Sequence, residues 1–106
     1  MITITYSKNK IVAEGHTGQK GTSLLCCAVS VLMWGLVDAL IREGYVPDVE
    51  ADDGYQSTSY DGNDDGTVER LFKAYAGNLS SLSEIHPKEI NFKKISDETI
   101  FLKKIL

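Results

Sequence analysis

Hydrophobic and polar positions alternate with a period of two in the first six residues, MITITY, and this alternation predicts a β-strand. A polar turn, SKNK, and a second short strand over residues 11–15 complete a predicted hairpin. Residues 49–60 predict another hairpin, because Asp53-Gly54 separates two short strand-like segments. INFKK at 90–94 predicts one further strand.

Two segments have the periodicity of helices. The first runs from Leu24 to about Arg42, with Thr22 and Ser23 as possible N-caps and Gly44 as a natural stop. It is apolar on most sides, which indicates a helix buried between a sheet and something else. The second begins near Asp64 or Asp65, where the helix dipole favours negative charge, and its apolar stripe comprises Val68, Leu71, Phe72, Tyr75, Leu79 and Leu82.

The predicted element order is ββαββαβ, which is typical of an α/β (α+β) sandwich with two helices on a mainly antiparallel sheet. The final DETIFLKKIL is expected to be another strand or a docked segment. With 106 residues, 42% of them hydrophobic and 25% charged, we expect one soluble domain spanning 1–106.

Composition and charge restrict the function further. No uninterrupted apolar run reaches about 18 residues, so we expect no membrane-spanning segment. The start of the chain lacks the pattern of a signal peptide, which favours a cytoplasmic protein with reduced cysteines. A net charge of −4 argues against direct nucleic-acid binding and is compatible with a basic peptide partner.

The stretch GHTGQKGTSLLCCAVSVL, residues 15–32, contains both cysteines and one of the two histidines. A cysteine nucleophile acts as the thiolate, which a neighbouring histidine and a helix N-terminus both favour. His16 is expected at a strand end, and Cys26 is the third helical residue if Ser23 is the cap. The 17–22 loop is long enough to fold His16 back over the helix start, whose free N–H groups could form an oxyanion hole.

Cys27 is the rival nucleophile, since its side chain points about 100° away around the helix and only one of the pair can face His16. Cys26 is nearer the positive helix end and is favoured for that reason. The non-catalytic alternative is a peptide-binding or interaction module in which both cysteines are structural, because buried cysteine is a common small core residue.

The pattern in this stretch resembles the ribosomal-processing cysteine protease family, Prp. The matching residues are Gly15, His16, Gly18, Gly21, Leu24, Leu25, Cys26, Ala28 and Ser30. The resemblance implies a catalytic dyad of His16 and Cys26, with Ser30 at its usual distance of four residues from the nucleophile. It also implies removal of the N-terminal extension of a bacterial large-subunit ribosomal protein, and a homodimer.

This chain departs from the family pattern at three points. The loop between His16 and Cys26 is about two residues shorter than usual, Ser23 replaces an acidic residue, and Cys27 replaces a small one. Gly18 and Gly21 permit movement of this loop, which is therefore the expected substrate gate. Ser23 and Ser30 are expected to support the site.

No metal or other cofactor is expected. DGNDDG at 61–66 begins like a calcium loop, but position twelve is Phe72 where a bidentate glutamate is needed. A turn leading into a helix N-cap explains the same residues. His16, His86 and two adjacent cysteines lack the usual zinc-ligand spacing. Six carboxylates between 50 and 65 could attract a basic peptide: Glu50, Asp52, Asp53, Asp61, Asp64 and Asp65.

Overall fold

The computed structural model describes residues 1–16 and 23–95, which contain five strands and two helices in the predicted order. The strands are β1 (Ile2–Ser7), β2 (Lys10–Gly15), β3 (Asp48–Asp52), β4 (Tyr55–Ser59) and β5 (Ile90–Lys94). The helices are α1 (Leu24–Arg42) and α2 (Thr67–Ile85). The predictions for the 17–22 loop and for DETIFLKKIL concern residues outside the described ranges. The prediction that α1 begins at Leu24 is confirmed.

The strands form one sheet with the spatial order β3-β4-β2-β1-β5. Both predicted hairpins are present, and β2 pairs with β4 to join them. Three of the four pairings are antiparallel, while β5 lies parallel to β1. The prediction of a mainly antiparallel sheet with two helices is therefore confirmed.

One face of the sheet carries the core. Ile2, Ile4 and Tyr6 point from β1 toward the helices, as the period-two pattern requires, and Ile11 and Ala13 do so from β2. They pack with Val29, Met33, Leu36 and Leu40 of α1 and with Val68, Phe72, Ala76 and Leu79 of α2. Both helices therefore cover the same face of the sheet.

Helix α1 is buried on one face only within the described chain. Leu24, Val31, Trp34 and Ile41 are all exposed although they are large and apolar. The sequence predicts α1 to be buried between the sheet and something else. The described residues cover only the face that packs on the sheet and α2, and they leave the other face exposed. By length and composition alone α1 could cross a membrane, a property that the core helix of a soluble protein can share.

The start of α2 explains the acidic DGNDDG stretch. One Asp64 carboxylate oxygen accepts hydrogen bonds from the amides of Gly66 and Val68, each at 2.9 Å, and the other accepts one from Glu69 at 3.2 Å. These amides have no partner inside the helix, so the carboxylate caps it. The helix itself begins at Thr67, two to three residues later than the sequence predicts.

Candidate active site

Cys26 lies in the first turn of α1, as predicted. Ser23 is the N-cap, and its hydroxyl oxygen accepts a hydrogen bond from the Cys26 amide at 3.2 Å. Cys26 is therefore the third residue of the helix, and its thiol lies near the positive end of the helix dipole. Ser23 therefore caps the helix that carries Cys26.

The same cap changes the expected oxyanion hole. Because the Cys26 amide donates to Ser23, it is not among the free donors of the helix start. The Cys27 amide donates to the Ser23 carbonyl at 3.2 Å and is also engaged. An oxyanion hole at Cys26 consequently needs a donor other than these two amides.

His16 follows directly on the end of β2, and two backbone hydrogen bonds hold this strand end in place. The Gly15 amide donates to the Gly54 carbonyl at 2.9 Å, while the amino group of Met1 donates to the His16 carbonyl at 2.6 Å. Gly15 has a φ of +105°, and a Cβ at this position would overlap the Met1 carbonyl oxygen. Glycine before the histidine is therefore a steric requirement of this strand end.

The imidazole of His16 lies against Gly54 in the β3–β4 turn. A Cβ placed on Gly54 would overlap the ring and would lie 3.0 Å from its Cε1 atom. Gly54 also has a φ of +69°, in the left-handed region that the two-residue hairpin turn uses. Gly54 thus satisfies the turn and leaves the space that the imidazole occupies.

His16 and Cys26 line one pocket of about 230 Å³. Its apolar part comes from Ile2, Ala13, Val29 and Met33, and Trp34 also contributes from α1. Its polar part comes from Glu14, Ser30, Asp52, Tyr55 and Gln56. The pocket therefore brings a thiol and an imidazole together with an apolar surface that a peptide side chain can contact.

The two cysteines differ in the way the sequence predicts. Cys26 is partly buried and lines the pocket, whereas Cys27 is exposed and is not among the described residues that line it. Ser30 lines the same pocket one turn after Cys26. Gly18 and Gly21, which the sequence predicts to be gating residues, fall outside the described residues.

Several residues of this pocket were not predicted from the sequence. Gly54, Asp52, Tyr55 and Gln56 all belong to the β3–β4 hairpin. The Asp-Gly turn was recognised, but its position beside His16 depends on the pairing of β2 with β4. Residues about 40 positions apart come together there, and no local pattern carries that information.

Metal ligation was not expected, and the described residues contain no group of three or more His, Cys, Asp or Glu side chains arranged to hold an ion. His86, the other histidine, is the C-cap of α2, with its amide donating to the Leu82 carbonyl at 3.0 Å. Asp64 serves as a helix cap.

Comparison with known proteins decides the family. A family model described as cysteine protease Prp matches residues 1–91. The chain belongs to the Prp family of cysteine proteases. The resemblance carried by the His16–Ser30 stretch is thereby confirmed, and with it the assignment of this protein as a cysteine protease.

Solved structures of similar fold support the Prp architecture. The ribosomal processing protease Prp of S. aureus with a covalently linked product peptide superposes with a TM-score of 0.78 at 20% identity, covering 90% of this chain and 100% of that one. The same protease with a substrate peptide gives 0.79 at 19% identity, with the same coverage. SMU.848 from Streptococcus mutans gives 0.75 at 26% identity, covering 91% and 93%. No curated protein compared with the chain matches it significantly.

Proposed function

We propose that this Prp-family protease removes the N-terminal extension of a bacterial large-subunit ribosomal protein, using Cys26 and His16 as its catalytic dyad. The observation that carries the proposal is the single pocket that both side chains line, at the start of α1 and the end of β2. The S. aureus protease of the same fold is described as a ribosomal processing enzyme and has been captured with substrate and product peptides.

The proposed mechanism needs only groups of this chain and water. His16 accepts the thiol proton of Cys26, and the sulfur attacks the scissile carbonyl carbon to form a C–S bond. The C–N bond then breaks, and His16 gives the proton to the leaving amine. Water, activated by the same imidazole, hydrolyses the thioester and restores the thiol, so the cycle requires no cofactor.

The charge around the pocket favours a basic peptide. Glu14 and Asp52 line the pocket, and Glu50 and Asp53 are exposed on the same β3–β4 hairpin. Carboxylates on one rim raise the local concentration of a cationic segment without contacting it closely. This supports a peptide extension of a ribosomal protein as the substrate rather than direct contact with nucleic acid.

The exposed face of α1 is the proposed contact in a homodimer. Leu24, Val31, Trp34 and Ile41 recur at intervals of seven, three and seven residues, so they share one side of the helix. An apolar strip of this kind is typical of an interface. Since the resemblance to Prp implies a homodimer, the partner that covers this strip is a second copy of this chain. We also propose that the protein is cytoplasmic.

Light scattering at micromolar concentration tests the dimer. We expect the mass of two chains for the wild type and of one chain for Val31→Glu. Val46→Glu is the matched control, because Val46 is 80% exposed but lies outside α1. A monomeric wild type contradicts the dimer, and flotation of that monomer with lipid vesicles would indicate that a membrane covers α1 instead.

Alkylation with iodoacetamide tests the dyad, with the modified cysteine mapped by mass spectrometry across pH 5–9. A histidine-paired thiolate predicts that Cys26 reacts at lower pH than Cys27, and that His16→Ala removes this difference. If the two cysteines react over the same pH range, even with a smaller and more reactive reagent, the dyad is wrong and the binding-module alternative is favoured.

A further inference from the structure

Gln56 presents a buried polar side chain to the pocket that His16 and Cys26 line. It is 7% exposed, and its Nε2 atom makes no hydrogen bond within the described chain. Leaving a buried amide donor unpaired is unfavourable, because the group has lost its water and gained nothing in return. Such an atom in a binding pocket points to an acceptor supplied from outside the chain.

The sheet register places this side chain on the face where peptide would bind. Gln56 pairs with Ala13 of β2, which belongs to the core beneath the helices. Directly paired residues share a face, so the Gln56 side chain lies on the helix side of the sheet. It lines the same pocket as His16 and Cys26.

The neighbours of Gln56 leave space around its carboxamide. Gln56 lies in β4, between β2 and β3. It is paired with an alanine on each side, Ala13 in β2 and Ala51 in β3. Both alanines line the pocket, together with the apolar Val29 and Met33 of α1. A buried amide donor beside small and apolar side chains of a pocket is a usual arrangement for orienting a ligand.

We propose that Gln56 is a substrate-binding residue whose Nε2 donates a hydrogen bond to a carbonyl oxygen of the bound peptide. The inference rests on the proposed protease site and adds to it a determinant of specificity. The carbonyl belongs either to the peptide main chain or to a side chain seated in the pocket. A peptide lacking an acceptor at this point would leave the donor unpaired and would be rejected.

Thr58 provides a matched control on the same strand. Its hydroxyl oxygen is also buried and unpartnered within the described chain, and it lies on the same face two residues away. It is not among the described residues that line the pocket. Gln56→Met and Thr58→Val therefore each remove an unpaired buried polar atom, but only Gln56→Met removes one from the site.

The experiment compares steady-state cleavage of the ribosomal-protein extension peptide by wild type, Gln56→Met, Gln56→Glu and Thr58→Val. We expect Gln56→Met to reduce kcat/KM about tenfold, mainly through KM, because one hydrogen bond to the peptide is lost. Gln56→Glu should fall further, since its carboxylate oxygens repel a carbonyl. Melting temperatures of Gln56→Met and Thr58→Val should equal or exceed that of the wild type.

Cleavage of a mixed peptide library, read by mass spectrometry, separates the two sources of the carbonyl. A uniform loss over all peptides indicates the main chain, and a loss confined to peptides with an acceptor side chain at one position indicates that side chain. Wild-type kcat/KM and an unchanged library profile in a folded Gln56→Met overturn the inference. Failure of the wild type to cleave the extension peptide, with library cleavage intact, rejects only the proposed substrate. Failure to cleave either one rejects the proposed function and this inference together.

Discussion

The imidazole of His16 lies directly over Gly54, two residues that are 38 positions apart in the chain. The contact depends on the hydrogen bond between the Gly15 amide and the Gly54 carbonyl, which joins the end of β2 to the β3–β4 turn. The hairpin therefore supports the imidazole of His16. This arrangement leads to the first of four predictions.

Gly54→Ala should reduce activity at least about tenfold, since displacing a catalytic group by about 1 Å can lower the rate by more than that. The new methyl group would overlap the imidazole. The left-handed backbone adds a stability loss of about 1 kcal/mol. Gly44→Ala is the control, because Gly44 also has a left-handed backbone, with φ of +90°, and nothing lies within 4 Å of an added Cβ. Both variants should lose similar stability in denaturant titrations, and equal activities would contradict this role for Gly54.

Because Cys26 lines the pocket and Cys27 is exposed outside it, their substitution should have different effects on activity. Cys26→Ala should lower peptide cleavage at least about 10³-fold, because the nucleophile is lost. Cys27→Ala should keep activity within about threefold, since a surface substitution away from the pocket changes little. Activity in Cys26→Ala but not in Cys27→Ala, measured by mass spectrometry of the products, would reverse the assignment.

The Ser23 cap should contribute both to stability and to the placement of Cys26. Ser23→Ala removes the acceptor of the Cys26 amide and should cost about 1 kcal/mol of unfolding free energy. A frayed first turn would also displace the thiol, so we expect cleavage to fall by up to about tenfold. Ser23→Asp retains a capping oxygen and should restore stability. If Ser23→Ala melts and cleaves like the wild type, the cap has no such role.

The start of α2 should make stability depend on acid. Hydrogen bonds from the Thr67 hydroxyl and amide, and from the Tyr45 hydroxyl, lower the pKa of Asp65 from 3.8 to about 2. A depressed carboxyl pKa stabilises the folded state above the unfolded value, and this contribution is lost as the pH falls from about 4 through about 2. Asp65→Asn should therefore be less stable than the wild type at pH 7 and should approach it near pH 2.

Thermal melting between pH 2 and pH 7 measures this effect. Asp48→Asn serves as the control, because Asp48 is an exposed carboxylate at the start of β3 and is not part of α2. The control should follow the wild-type profile over the whole range. A constant difference between Asp65→Asn and the wild type at every pH would contradict the linkage.

Local patterns in the sequence determined most of the secondary structure and one of the two candidate catalytic positions, that of Cys26. The alternation in β1, the Asp-Gly turn at Gly54 and the Ser23 cap each depend on neighbouring residues, so each could be predicted without a tertiary model. The same locality placed Cys26 in the first turn of α1. Helix α2 was predicted to begin slightly early, because Asp64 caps from outside the helix.

Only the tertiary structure decided what surrounds His16 and Cys26. The pairing of β2 with β4 brings Gly54 beneath His16 and places Gln56 in the Cys26 pocket, and such pairings join residues far apart in sequence. The exposure of one face of α1 could not be predicted from the sequence either, because an apolar helix has the same pattern whether its own chain or a second molecule covers it. Sequence determined the chemical groups, and the long-range packing of the sheet determined which of them share a site.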